Sequence, residues 1–238
     1  MKKGWKKFAG LTSQGYSDLI AFEPSLDAWN NAFEVLLENI ADERAGNADY
    51  AKELYQVDDS TDYRYDVSEW LEDYLDELDM REEYERLETA CRKLLTLFAW
   101  EEESPSEFCT MLSVALLGQG KTQEALTFDE EWLQKEPDSQ YAVAALIRAR
   151  MKCSDMQGAR ELVEGHITEA TKCIEDNELI FIAAEEFYQE AGEKKAAKRV
   201  HRELEAFEEL LDDEFDEEFG GEFLEDEDDL ADMELPFN

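Results

Sequence analysis

Gly118-Gln119-Gly120-Lys121-Thr122 has the residue types and order that close a phosphate-binding loop. In such a loop successive backbone N–H groups cradle phosphate oxygens and a lysine neutralises them. That chemistry needs a buried strand before the loop and a glycine at its first position. Here Ala115 stands at the glycine position, and the residues leading in fit a helix instead. Asp58, Ser60, Asp62, Asp66 and Glu69 place oxygens at positions 1, 3, 5, 9 and 12 of a calcium-loop pattern. The sharp turn at position 6 wants glycine but meets Tyr63, so a polar linker capping the next helix is expected. His166 and His201 lie far apart, with no HExxH pattern. Cys91, Cys109, Cys153 and Cys173 are spaced 18, 44 and 20 residues apart, which is not metal-knuckle spacing. They read as small buried hydrophobes in a reducing compartment. No serine or cysteine is marked as a nucleophile. With 62 acidic residues, chance carboxylate pairs carry no information about acid–base work. The expectation is a protein without catalysis, metal or cofactor.

Charge narrows the partners. The 62 acids face 23 Lys and Arg, giving a net charge of −39. Bulk electrostatics therefore opposes direct binding to nucleic acid or to an anionic membrane face. A 43% hydrophobic share is enough for a core, and scarce glycine (11) and proline (4) argue against a turn-rich β-sandwich or barrel. Apolar runs such as Leu179–Ala184 are far short of a membrane span. The start is basic, but Phe8–Phe22 is broken by Thr12, Ser13, Gln14, Ser17 and Asp18, so a soluble, cytoplasmic chain is expected.

Four regions follow from composition and periodicity. Residues 1–23 read as a basic irregular segment, 24–66 as a helical segment and linker, 67–211 as a helical domain, and 212–238 as a disordered acidic tail with 14 acids and no base. After Pro24, with Ser25 as N-cap, Leu26, Trp29, Phe33, Leu36, Leu37 and Ile40 make one apolar helix stripe. A short helix is expected over 50–57 and a loop over 58–66. Beyond Val67 the chain reads as helix pairs: 67–79 with 81–98, 106–117 with 122–134, 139–152 with 156–173, and 178–190 with 193–211. Short connectors imply antiparallel pairing. Ser104-Pro105-Ser106-Glu107 has the order of a helix start, and Pro137 ends a helix that Asp138 or Ser139 succeeds as cap.

The pairs repeat. Cys109, Leu112, Ser113, Leu116, Gly120, Ala125, Leu133 and Pro137 fall where the 34-residue tetratricopeptide pattern wants large, small, glycine, alanine and proline residues, while Asp129 and Trp132 depart from it. A shift of 34 residues puts Ala159 on Ala125, and a further 38 puts Ala197 there with Phe181, Ala184, Tyr188 and Gly192 in register. A shift of 38 upstream gives Leu71, Tyr74, Leu75, Leu78, Tyr84 and Leu87. Residues 67–211 thus resemble a tetratricopeptide-like helical repeat. The resemblance implies an all-α, antiparallel helix-pair solenoid with a concave groove that holds peptides or partner helices.

In that register the groove carries Glu72, Thr110, Ala144 and Ile182 at one position and Asp76, Val114, Arg148 and Glu186 at another. The Lys and Asn residues with which family members grip a C-terminal carboxylate are lacking. Glu69, Glu72, Asp76 and Asp79 make the first groove helix acidic, and Arg148 with Lys152 makes a basic spot. The expected partner is a peptide or protein with a basic and apolar surface. Glu69, Glu72, Asp76, Thr110, Val114, Arg148, Lys152, Ile182 and Glu186 are the candidate contacts, assisted by the acidic tail. The expected role is a non-catalytic adaptor or chaperone-like factor. An acidic nucleic-acid mimic that sequesters a DNA- or RNA-binding protein is the alternative, and a nucleotide-binding enzyme built on Gly120-Lys121-Thr122 is a further one.

Overall fold

The computed structural model describes residues 3–20 and 25–219, with only the backbone for 212–219. Eleven α-helices, and no strand, occur among the described residues. They form two compact units, residues 1–125 and 126–238.

Unit 1 holds α1 (Lys3–Leu19), α2 (Asp27–Gly46), α3 (Tyr55–Ser60), α4 (Val67–Met80), α5 (Tyr84–Leu97) and α6 (Ser106–Gly118). The stretch expected to be irregular up to residue 23 is thus mostly helix. Its glycines and hydroxyl residues lower helix propensity, but tertiary packing decides. Phe8 is buried edge-on to Trp70 at 5.0 Å, Trp5 stacks on Tyr65 at 5.2 Å, and Tyr16 meets Trp29 at 4.8 Å. Packing of this kind is what stabilises short helices in water. Gly15 lets α1 approach α2 closely, because a Cβ there would sit 2.9 Å from the Trp29 indole nitrogen. We expect Gly15→Ala to destabilise unit 1 by about 1–2 kcal/mol, since this buried ring has no room to yield. Thermal denaturation of the variant checks it.

The buried face of α4 comprises Val67, Trp70, Leu71, Tyr74, Leu75 and Leu78, at helical spacing. The rings of Trp70, Trp29 and Tyr74 cluster near-parallel to one another, with Trp70 5.7 Å from Trp29 and 5.4 Å from Tyr74, and the latter two 6.3 Å apart. The start of α4 is held by buried Asp58, whose carboxylate accepts from the backbone N–H groups of Val67 and Ser68 and from the Ser68 hydroxyl. This is the chemistry of the segment with calcium-loop spacing: Asp58 serves the orphan donors of a helix N-terminus.

Helix α5 packs on α6. Glu88 of α5 accepts from Lys121 Nζ (2.6 Å), Gln119 Nε2 (2.8 Å) and Arg92 Nε (2.9 Å). Burial alone would raise its carboxyl, but these bonds outweigh burial and hold it down to about 2. The lysine of the phosphate-loop-like sequence is therefore engaged with Glu88. Helix α7 (Thr122–Lys135) starts in unit 1 and ends in unit 2.

Unit 2 contains α8 (Gln140–Lys152), α9 (Met156–His166), a 3-10 turn (Glu175–Asn177), α10 (Glu178–Glu190) and α11 (Lys194–Phe219). Val143, Ile147, Val163, Phe181, Phe187, Val200 and Leu204 form its core. Ser139 caps α8 and Asp155 caps α9 through side-chain oxygens. Helix α9 ends at His166 rather than near 173. Ile167 is extended (φ −117°), and Thr171 Oγ1 accepts the Thr168 N–H, a local alternative to the helical bond. Helix α11 runs past residue 211, the expected start of the disordered tail, to Phe219. Residues 220–238 of that tail lie outside the described residues.

One turn recurs at every helix pair. Glu82 (φ 58°), Gly120 (φ 73°), Ser154 (φ 63°) and Gly192 (φ 73°) are left-handed, at steps of 38, 34 and 38 residues. Each donates its N–H three residues back, and the next residue donates five back: Glu83 to Leu78, Lys121 to Leu116, Asp155 to Arg150 and Glu193 to Tyr188. These are the paired bonds of a Schellman ending. Five residues after each left-handed residue stands a buried Leu87, Ala125, Ala159 or Ala197. Asp129 is itself fully buried at the place where the repeat pattern wants bulk, and Phe128 beside it is half-buried.

Candidate protein-binding cleft

Since α4 buries one face, its acids are confined to the other. Glu69, Glu72 and Asp76 are exposed there, with Asp73 and Asp79 half-buried beside them. Helix α6 runs next to α4. Between them lies a cleft of about 200 Å³, lined by Glu72, Leu75 and Asp76 of α4 and by Glu107, Phe108 and Met111 of α6. Its floor is apolar and its rim is carboxylate.

The rim is electrostatically strained. Partial burial raises the Glu72 carboxyl most, and repulsion from Glu107, Asp73, Asp76 and Glu69 adds to it. Asp76 is raised by burial, then by Asp73 and Glu77, and Asp79 by burial, then by Asp76. On α4, Glu77 pairs with Arg81 at 3.0 Å. Among the described residues no cation pairs with Glu69, Glu72, Asp76, Asp79 or Glu107. The Tyr16 hydroxyl donates to Asp73 at 2.5 Å, which ties α1 to this face, and burial with that bond pushes the phenol upward.

Five of the nine candidate contacts belong to unit 1. Glu69, Glu72 and Asp76 share the acidic face. Thr110 spends its hydroxyl on the Ser106 carbonyl within α6, and Val114 is half-buried further along that helix. The cleft's α6 wall is formed by Glu107, Phe108 and Met111, about a turn earlier. Spacing gives the register within a helix, but not the axial offset of two helices whose ridges interlock. Glu107 carried a sequence signal only as a helix-start residue.

The other four belong to unit 2. Arg148 forms a fork with Glu186, at 2.8 Å from Nε and 2.9 Å from Nη2. The expected basic spot is thus neutralised by another candidate contact, which leaves Lys152 as its exposed cation. Ile182 is half-buried against the unit 2 core.

Two other hollows hold ion pairs. One of about 300 Å³ at Phe33, Tyr74 and Ala90 contains the Lys93–Glu34 pair. One of about 540 Å³ at Met156 and Ala191 contains Arg160, which is bound to Glu193 and Glu164. All four cysteines are free; burial raises the Cys91 thiol and pushes the Cys173 thiol up to about 11, which disfavours the reactive thiolate. No group of three or more His, Cys, Asp or Glu among the described residues is arranged to hold a metal ion, and no helix among them is long and apolar enough to cross a membrane. No protein-family model, curated protein or solved structure matches the chain.

Proposed function

We propose that this chain is a non-catalytic protein-interaction module of the cytoplasm, an adaptor or chaperone-like factor working without a cofactor. Its helix pairs are tetratricopeptide-like, a reading supported by the turn that recurs at residues 82, 120, 154 and 192. The α4–α6 cleft takes a segment of a partner that presents Lys or Arg beside an apolar side chain.

One observation supports this reading: carboxylates crowd the rim of an apolar cleft with no cation paired to them among the described residues, and Glu72 and Asp76 are raised by burial and by neighbouring acids. A folded protein gains nothing from such an arrangement on its own. A bound ammonium or guanidinium would relieve the repulsion, and Leu75, Phe108 and Met111 would cover the partner's apolar side chain. Unpaired like charges at a concave apolar surface mark a site kept for a ligand more than one built for stability. The acidic run from residue 212 onward adds long-range attraction for the same kind of partner, screened over about 8 Å in physiological salt.

Crosslinking and pull-down with the wild-type chain and with Glu72→Lys/Asp76→Lys test the reading. The expected result is loss of most of the recovered partner on charge reversal, in a variant whose circular dichroism is unchanged. Undiminished recovery would remove the cleft from the account. Recovery that follows total charge alone, across unrelated basic proteins, would favour the nucleic-acid mimic.

A further inference from the structure

Helix α11 has 26 residues and α10, against which it folds back, has 13. At 1.5 Å per residue they span about 39 and 20 Å, so α10 can cover only the first half of its partner. The exposure of α11's apolar residues follows this geometry. Val200 is 0% and Leu204 7% exposed, Phe207 is half-buried, and Leu211 and Leu210 reach 47% and 60%. One stripe runs from the core of unit 2 off the end of α10 into solvent.

The charges along α11 run against its own macrodipole. Lys194, Lys195, Lys198, Arg199 and Arg202 occupy its first third, and no base follows; ten acids lie between Glu203 and Glu218. A helix favours anions at its start and cations at its end. Acid pairs four apart, such as Glu205–Glu209 and Glu208–Asp212, repel as well. Among the described residues, α11 beyond Phe207 therefore has no apolar cover over Leu210 and Leu211, and its sequence lacks the positive charge its carbonyl end calls for. A second copy does not supply them in this region, because it would bring the same acids to the same stripe.

We propose that the distal half of α11, centred on Leu210 and Leu211, docks a basic amphipathic helix of a partner protein, with apolar residues on the stripe and Lys or Arg along both of its edges. The inference rests on the reading of the chain as a binder of basic partners only for the sign of the partner's charge; the site is separate from the α4–α6 cleft. The partner's cations complete the end of the α11 dipole, and its apolar face continues the coverage that α10 begins.

A synthetic amphipathic helix of Lys and Leu, with the leucines on one face, is the probe, and a scrambled peptide of equal composition is the control. The full-length chain is saturated with each, and backbone hydrogen exchange is followed over residues 205–219. The expected result is slowed exchange there with the amphipathic probe and not with the scrambled one. Leu210→Ser/Leu211→Ser should abolish that protection and weaken binding at this site about tenfold, the scale of two partly buried leucines, with an unchanged melting midpoint. Glu72→Gln/Asp76→Asn should leave the α11 protection intact, so failure of the cleft reading and failure of this one are told apart. Three results would overturn the proposal: no added protection in α11, equal protection by the scrambled peptide, or sedimentation showing a dimer that the leucine variant loses.

Discussion

Replacing Trp70 by alanine should destabilise unit 1 by about 4 kcal/mol and abolish the partner binding proposed for the cleft, although Trp70 does not line it. The indole is buried beside the near-parallel rings of Trp29 and Tyr74, with Phe8 edge-on. Its removal leaves a cavity that two stiff rings cannot fill, so contact area and ring–ring attraction are lost together. Helix α4 is seated by this ring, and its acids are aimed only because its other face is fixed. Trp70→Phe should lose about half as much, because the indole N–H makes no hydrogen bond in the fold and a smaller ring keeps most of the stacking. Denaturant titration of the two variants checks the order. Equal stability of Trp70→Ala and wild type would mean that α4 is not held through its aromatic face.

Neutralising the rim separates stability from function in the opposite direction. Glu72→Gln/Asp76→Asn should weaken binding of the partner tenfold or more while stabilising the free chain at neutral pH by about 0.5 kcal/mol per charge removed, the scale of exposed like-charge pairs. The sign follows from linkage. In the folded chain these carboxyls are raised above their ordinary values by burial and then by neighbouring acids, so the folded state takes up protons before the unfolded state does. Their ionised form opposes folding at neutral pH, and that opposition fades as pH falls through the raised values. The advantage of the variant over wild type should thus shrink on acidification and be small by about pH 4. Glu88 behaves oppositely. Held down to about 2, it contributes stability that is present above the ordinary glutamate value and is lost as pH falls toward about 2. Melting curves of wild type, the rim variant and Glu88→Gln across pH distinguish the two groups. A rim variant less stable than wild type at neutral pH would mean that these acids are structural.

The helices of the central region were legible because their buried residues recur at three and four steps, as in α4, and because Pro137, Ser139 and Gly120 punctuate them. Amphipathic periodicity and caps are local properties, and they carry the all-helical class. The sites of the four turns were legible through residue register. Glu82 and Ser154 share the left-handed turn with Gly120 and Gly192, yet only the glycines announce it by type, since side-chain-bearing residues rarely take that conformation. Helix α1 was not legible. Its polar and glycine residues argue locally against a helix, and only Trp29, Tyr65 and Trp70, distant in sequence, give Trp5 and Phe8 a reason to order it.

Sequence alone determined that the chain is helical, strongly acidic, and carries acids opposite the apolar stripe of α4, because composition and a 3.6-residue period survive without knowledge of neighbours. Tertiary structure decided which side chains meet: Glu107, Phe108 and Met111 across from Glu72, Arg148 locked to Glu186, and the leucines of α11 left bare beyond α10. Those pairings depend on how far one helix slides along another and where it stops. That offset is set by the interlocking of side chains between helices, which no single segment encodes.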